Sequence, residues 1–248
     1  MDTLAKRWRK LWPDVLQYGP ADETPRPAVL LFHGCGGVRD HMHGYAAEAV
    51  KAGWRAFIID SFQPRGWNRR FASSFTCIGL AFRGYARAGD VLAATWGVAQ
   101  FPHVDATRLA MAGWSHGGWG IMDLMTMPLT KRGEGRLENP DPRVLDHVDR
   151  LFLAYPYLNI IARSRSHAWV RTPRVFGVIP RSDHLASVRT HMRAYAAAAA
   201  AGCELELWPV DGTHAFDEPA LKVPAHLMRH DPALAIEAGK RFRRFLES

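Results

Sequence analysis

Cysteine is scarce in this chain. Its three cysteines, Cys35, Cys77 and Cys203, stand far apart. They form no metal-ligand spacing and no disulfide framework, so a reducing compartment, the cytoplasm, is the expectation. Long apolar runs are missing as well, which excludes a membrane-spanning helix. Residues 1–10 are charged and lack the apolar stretch of a secretory signal, so none is expected. Lysine is infrequent, and most of the 32 basic residues are arginine. The net charge of +8 would suit nucleic acid. No basic helix or aromatic RNA-binding motif accompanies it, so the excess is read as compositional and no nucleic-acid partner is expected. The histidine pairs His41/His43 and His184/His191 are loosely spaced and have no evident acidic partners. They are read as solvated surface, and neither a metal nor a cofactor is expected.

What is present is ordinary for a globular chain: 48% hydrophobic and 23% charged residues over 248 positions. That length fits one domain, 1–248, with ample core. Leu4, Trp8, Leu11 and Trp12 form a stripe at helical spacing, so residues 1–27 are read as a docking segment ending in proline-rich loop. Short continuous apolar runs follow at Ala28–Phe32, Ala56–Ile59, Leu109–Trp114, Leu151–Tyr155 and Val175–Ile179. Such runs suit strands buried on both faces. Leu205–Val210 alternates with Glu204 and Glu206, so one of its faces is expected to be wet. Helices are expected between the strands, at about 42–52, 81–100, 119–125 and 185–201. A last one follows Asp231 as N-cap and Pro232 as first residue. Residues 127–150 are polar and proline-broken, so mostly loop. Strands alternating with helices predict an α/β fold with a mostly parallel sheet and helices on both faces. Ligands bind beyond the carboxyl ends of such strands.

At one of those ends stands Gly113-Trp114-Ser115-His116-Gly117. A serine on a sharp strand-to-helix turn needs small residues two before and two after, and Gly113 and Gly117 meet that need. The turn sets its hydroxyl at a helix N-terminus, where developing negative charge is favoured. Serine alone is a poor nucleophile. It requires a base, and the base requires an acid to fix its tautomer. His214 follows the last strand and is the expected base. His184, His191, His226 and His230 fit the strand ends less well. Asp183 leaves another strand end between Ser115 and His214 and is the expected acid, with Asp211 and Asp217 as alternatives close to the histidine. An oxyanion needs two N–H donors. These are expected from the backbone of His116 and of Cys35, in the glycine-rich loop His33-Gly34-Cys35-Gly36-Gly37. The Cys35 thiol is a rival nucleophile without a base in its sequence context. Gly34, Gly36, Arg65, Trp114, Tyr155 and Trp169 are expected to line the substrate pocket. The stretch 156–173, with Arg163, Arg165 and Arg171, is expected to overhang it as a small cap loop. One of these arginines or Arg65 could then select substrates bearing a carboxylate.

Three segments together resemble the dienelactone hydrolase branch of the α/β-hydrolase superfamily. They are His33-Gly34-Cys35-Gly36-Gly37, Asp60-Ser61-Phe62-Gln63-Pro64-Arg65-Gly66 and Gly113-Trp114-Ser115-His116-Gly117-Gly118. Asp183 and Gly212-Thr213-His214-Ala215-Phe216 fall where that family has its acid and histidine. The resemblance implies an eight-stranded α/β-hydrolase sheet and a Ser115–His214–Asp183 triad, and about seven or eight strands are expected in this chain. It also implies metal-free hydrolysis of small-molecule esters or lactones, and the chain is expected to act as a monomer or homodimer. Dienelactone hydrolase itself uses a cysteine nucleophile. Serine at position 115 therefore favours a general carboxylesterase, with peptidase, acyltransferase or non-catalytic binding protein as alternatives.

Overall fold

The computed structural model describes residues 1–68, 71, 81–219 and 223–248. Cys77 and most of the loop around it lie outside the described residues.

Among the described residues seven strands form one sheet in the order β1-β3-β2-β4-β5-β6-β7. They are β1 (Leu16–Tyr18), β2 (Arg26–Phe32), β3 (Arg55–Ile59), β4 (Val104–Trp114), β5 (Val148–Ala154), β6 (Arg174–Ser182) and β7 (Leu205–Thr213). Of these, β1 runs antiparallel, against β3. The other pairings are parallel. The described helices are α1 (Leu4–Leu11), α2 (Asp40–Lys51), α3 (Gly84–Val98), α4 (His116–Met125), α5 (Val188–Ala200) and α6 (Pro232–Glu247).

Successive strand residues point to opposite faces, and both faces are covered. Leu30 and Phe32 of β2 pack with Leu92 of α3 and Ile121 of α4. Val29 and Leu31, their neighbours, pack with Tyr45 of α2 and Phe242 of α6. Burial on both sides is why these strands read as unbroken apolar runs. β7 sits at the edge, and its Glu206 and Asp211 are exposed. α6 begins as its sequence predicts: Leu234 N–H donates to Asp231 Oδ1 at 3.0 Å, and Pro232 takes the first turn.

The N-terminal segment is seated on the main body. Leu4 and Leu11 are buried in the α3 side of the core. Trp8 lies on Gly97, where a Cβ would come within 2.1 Å of the indole. Arg7 donates to Asp2 at 3.0 Å and to buried Asp90 at 2.7 Å. Cys35 is disulfide-bonded and Cys203 is a free buried thiol. This corrects the expectation of no disulfide, since sequence separation does not limit which cysteines meet in space. The paired-histidine reading is corrected in part. His43 and His184 are exposed, but His41 and His191 are buried, with both ring nitrogens of each unpartnered.

Candidate active site

β4 ends and α4 begins at Ser115, whose backbone is forced to φ 49° and ψ −111°. That conformation is costly for a residue with a side chain and persists only where the surroundings hold it. They do so here by close packing. A Cβ on Gly113 would lie 2.7 Å from the Gly118 nitrogen, and one on Gly117 would lie 2.0 Å from the Phe32 carbonyl oxygen. Only glycine lets the new helix lie against the ends of β2 and β4. Ser115 N–H donates to Ala154 at 3.0 Å, and its carbonyl accepts from Trp119 at 3.0 Å and Tyr157 at 2.9 Å.

The hydroxyl of Ser115 donates to His214 Nε2 at 2.8 Å. His214 Nδ1 donates to Asp183 Oδ2, also at 2.8 Å. The two partners together fix the histidine tautomer, with the proton on Nδ1. Asp183 Oδ1 accepts from Leu185 N–H at 2.8 Å and Ala186 N–H at 3.1 Å. Asp183 does not cap a helix, because α5 begins later with Ser187 as its N-cap. Burial raises the pKa of Asp183, but His214 and the Leu185 N–H outweigh it and hold the carboxyl below its usual range. Tyr155 presses edge-on against the His214 ring, with centroids 4.8 Å apart. Its hydroxyl, together with Tyr45 Oη at 2.8 Å and Trp114 Nε1 at 3.2 Å, donates to buried Asp217. Asp217 is therefore committed to three donors beneath the histidine, and Asp211 pairs with Arg181 at the surface.

The glycine-rich loop faces the serine. A Cβ on Gly34 would sit 3.4 Å from Ser115 Cβ. His33, fully buried, anchors this loop. Its Nδ1 donates to the Gly34 carbonyl at 2.6 Å, and its Nε2 accepts from Ser61 N–H at 3.1 Å. On the other side, the His116 backbone N–H opens α4, where no intrahelical acceptor exists for it. The His116 ring is buried and neutral. Nε2 donates to the Phe82 carbonyl at 2.8 Å, and Nδ1 accepts from Arg87 at 3.2 Å. Burial first, and then Arg87, hold its pKa well below the ordinary histidine value. Arg87 is wholly buried, and burial pulls its pKa down to about 9.

Several expected substrate contacts turn out to be scaffold. Trp114 and Tyr155 have fully buried side chains bonded to Asp217, so they hold the core behind His214. Trp169 is buried in the α3-side core. Arg65 donates to Asp90 from both terminal nitrogens, at 2.8 and 2.9 Å. Arg163 donates to Thr126 Oγ1 at 2.9 Å, Arg165 to the Leu158 carbonyl at 3.4 Å, and Arg171 to the Met127 carbonyl at 2.7 Å. Arg163 and Arg171 tie the 156–173 stretch to the body, while Arg165 bonds within the stretch and stays exposed. A cavity of about 630 Å³ does lie under that stretch, between Arg83, Tyr85, Arg136, Ile160, Arg163 and His167. Of the expected pocket residues, Gly34 lies against the serine, and Gly36 lies between Arg39 and Glu218 in the same loop.

Asp123 and Glu218 escape sequence reading. Asp123, on α4, accepts from Trp119 Nε1 at 2.9 Å and from Ser164 N–H at 3.0 Å, so it latches the 156–173 stretch to the serine's helix. Its four-residue spacing from Trp119 places both on one helix face, which is the only hint in the sequence. Burial pushes its pKa up to about 7. The folded state therefore holds this proton more tightly than the unfolded chain. Stability from this group is full below about pH 4 and is lost as pH rises to about 7. The expected loss is roughly 4 kcal/mol at most, from about three pH units at 1.36 kcal/mol each. Denaturant unfolding at pH 5 and pH 8 checks this. Wild type should lose stability between the two, and Asp123→Asn should lose markedly less.

No family model matches the sequence, and no curated protein matches it. Solved structures do. One is esterase 2 of Thermogutta terrifontis phosphorylated by paraoxon, 17% identical, with 94% of this chain and 87% of that chain covered and a TM-score of 0.66. Another is a dienelactone hydrolase-like promiscuous phosphotriesterase from metagenomic libraries, 16% identical, with 90% and 86% covered and a TM-score of 0.68. A propionate-bound form of the Thermogutta esterase is 17% identical, with 92% and 87% covered and a TM-score of 0.62. With the strand order, the serine turn and these likenesses together, the chain has the α/β-hydrolase fold.

Proposed function

We propose that this chain is a serine hydrolase of the dienelactone hydrolase-like kind, cleaving carboxylic esters or lactones through an acyl-enzyme on Ser115. One observation carries the reading. Ser115 Oγ, His214 and Asp183 form an unbroken hydrogen-bonded chain, 2.8 Å at each link, on a turn strained to φ 49°. His214 Nε2 takes the serine proton as Oγ attacks the carbonyl carbon. The same nitrogen returns the proton to the leaving alkoxide. Asp183 keeps the proton of Nδ1 in place and stabilises the imidazolium that forms. The oxyanion is received by the N–H groups of Cys35 and His116, and buried Arg87 behind His116 makes that side electropositive. Water then attacks the acyl-enzyme by the same proton path. The carbonyl carbon needs no metal or cofactor in this scheme.

The paraoxon-phosphorylated esterase and the phosphotriesterase among the similar structures support a hydrolytic reading. The stretch 156–173 is proposed as a short fixed cap, given its ties to Thr126, Asp123 and Met127. Among the described residues no helix is long and apolar enough to cross a membrane. The disulfide at Cys35 weighs against a strictly reducing compartment, and it takes the rival thiol nucleophile out of play.

The test is a panel of p-nitrophenyl esters of increasing acyl length, with lactones beside them. Saturable turnover of at least one class is expected, with the free acid as product even when an amine or alcohol is supplied. Transfer to the added acceptor would replace hydrolase by acyltransferase. Cleavage of neither class would contradict the proposal.

A further inference from the structure

Glu218 is four residues beyond His214, on the same turn, and its backbone N–H donates to the Ala215 carbonyl at 3.0 Å. Ala215 itself is held at φ 55°, so the turn is tightly constrained. The side chain is 8% exposed and reaches across to the glycine-rich loop. A Cβ built on Gly34 would lie 3.8 Å from Glu218 Oε1 and 3.4 Å from Ser115 Cβ. One built on Gly36 would lie 3.8 Å from Oε2. The carboxyl thus spans the loop that faces the nucleophile, and glycine at 34 and 36 leaves the space between them open.

Among the described residues no donor hydrogen-bonds this carboxyl. Arg39 Nε stands at 3.8 Å, too far for a hydrogen bond, and Arg39 Nη2 donates to the Pro219 carbonyl. The carboxyl of this mostly buried residue is bonded by no protein donor, so a ligand at the loop can supply one. Asp217 and His214 on its own turn, Arg39 at the N-cap of α2, His41 in its first turn, and Tyr155 after β5 are the titratable or charged groups around it. Burial and Asp217 push its pKa up, while His41, Arg39 and His214 draw it down. Either ionised or neutral, it accepts a hydrogen bond.

We propose that Glu218 is the substrate-selecting group of this site and takes an ester bearing an amine, ammonium or hydroxyl donor next to the scissile carbonyl. The donor belongs there because the loop that Glu218 borders is the one expected to hold the carbonyl oxygen. This differs from the anionic preference that the arginine-rich sequence suggests, since Arg65, Arg163 and Arg171 are hydrogen-bonded to protein acceptors. The inference rests on the serine hydrolase reading.

The experiment compares three 1-naphthyl esters of matched shape: alaninate, lactate and isobutyrate. They carry ammonium, hydroxyl and methyl at one position. Each kcat/KM is divided by that ester's hydroxide-catalysed rate. The wild-type protein should favour the donor-bearing esters by about 10–100-fold, the range of one hydrogen bond to a charged group. Glu218→Leu should bring the ratios close to one. Glu218→Gln, which keeps an acceptor oxygen, should lose the ammonium preference and retain part of the hydroxyl preference. If the leucine variant fails to fold, the glutamine variant decides alone. Ratios near one in wild type, or ratios unchanged in the folded variants, overturn the proposal. Turnover of isobutyrate and labelling of Ser115 by a fluorophosphonate report separately on the hydrolase reading. Their presence with flat ratios would sink only the role given to Glu218.

Discussion

Replacing Ser115 by alanine should remove nearly all ester turnover and leave the melting temperature close to that of wild type. Two structural facts set this expectation. The hydroxyl contacts His214 Nε2 and packs into no core cluster, so its loss leaves no cavity of consequence. The backbone strain at φ 49° is the same for alanine as for serine, because both carry a Cβ. A residual rate of about 10³-fold over water is expected from the oxyanion donors and binding alone. The measurement is kcat/KM on the best ester of the panel, together with a thermal melt. Near-wild-type turnover would remove Ser115 from the nucleophile role. A collapsed melting temperature would mean that the hydroxyl holds the turn together.

Asp183→Asn is expected to cost about 10⁴ in kcat, for a reason readable from its neighbours. The Leu185 and Ala186 N–H groups both point at Oδ1. In the asparagine variant those two donors hold the amide oxygen, so the amide nitrogen faces His214 Nδ1. It then donates where Asp183 accepted, and the histidine proton moves to Nε2. That nitrogen can no longer receive the serine proton. Asp211→Asn should be nearly silent, because Asp211 pairs only with Arg181 at the surface. Asp217→Asn should lower stability far more than it lowers turnover, since Asp217 satisfies Tyr45, Trp114 and Tyr155. The three variants, measured for both kcat and Tm, separate an orienting acid from a buried anchor. A larger kcat loss at Asp211 or Asp217 than at Asp183 would move the assignment.

The strands from Ala28 to Ile179 were legible because the parallel sheet is covered on both faces, which leaves unbroken apolar runs. β4 begins earlier than its apolar run, at Val104, since Asp105, Thr107 and Arg108 interrupt the pattern at its start. α4 begins at His116, directly after the serine, where Gly117 and Gly118 hide helical character. β1 is three residues long and too short for periodicity to register. The chemistry-bearing residues at strand ends were legible for a related reason: the fold rule says where to look. Pocket lining was not. Trp114 and Tyr155 flank strand ends as a substrate contact would, but sequence does not tell which face of the pleat a side chain takes. Arg65 and Arg163 look free in sequence and are held by partners far along the chain, Asp90 and Thr126. Glu218 and Asp123 acquire meaning only from what folding brings against them, a glycine loop in one case and a backbone N–H in the other.

The central claim is that Ser115 is an activated nucleophile. A fluorophosphonate probe reacts with such a serine and spares unactivated hydroxyls. The account predicts one covalent adduct per chain, located on the peptide carrying Ser115, and its loss in both Ser115→Ala and His214→Ala. An adduct that persists in either variant, or no adduct on the folded wild-type protein, would contradict it.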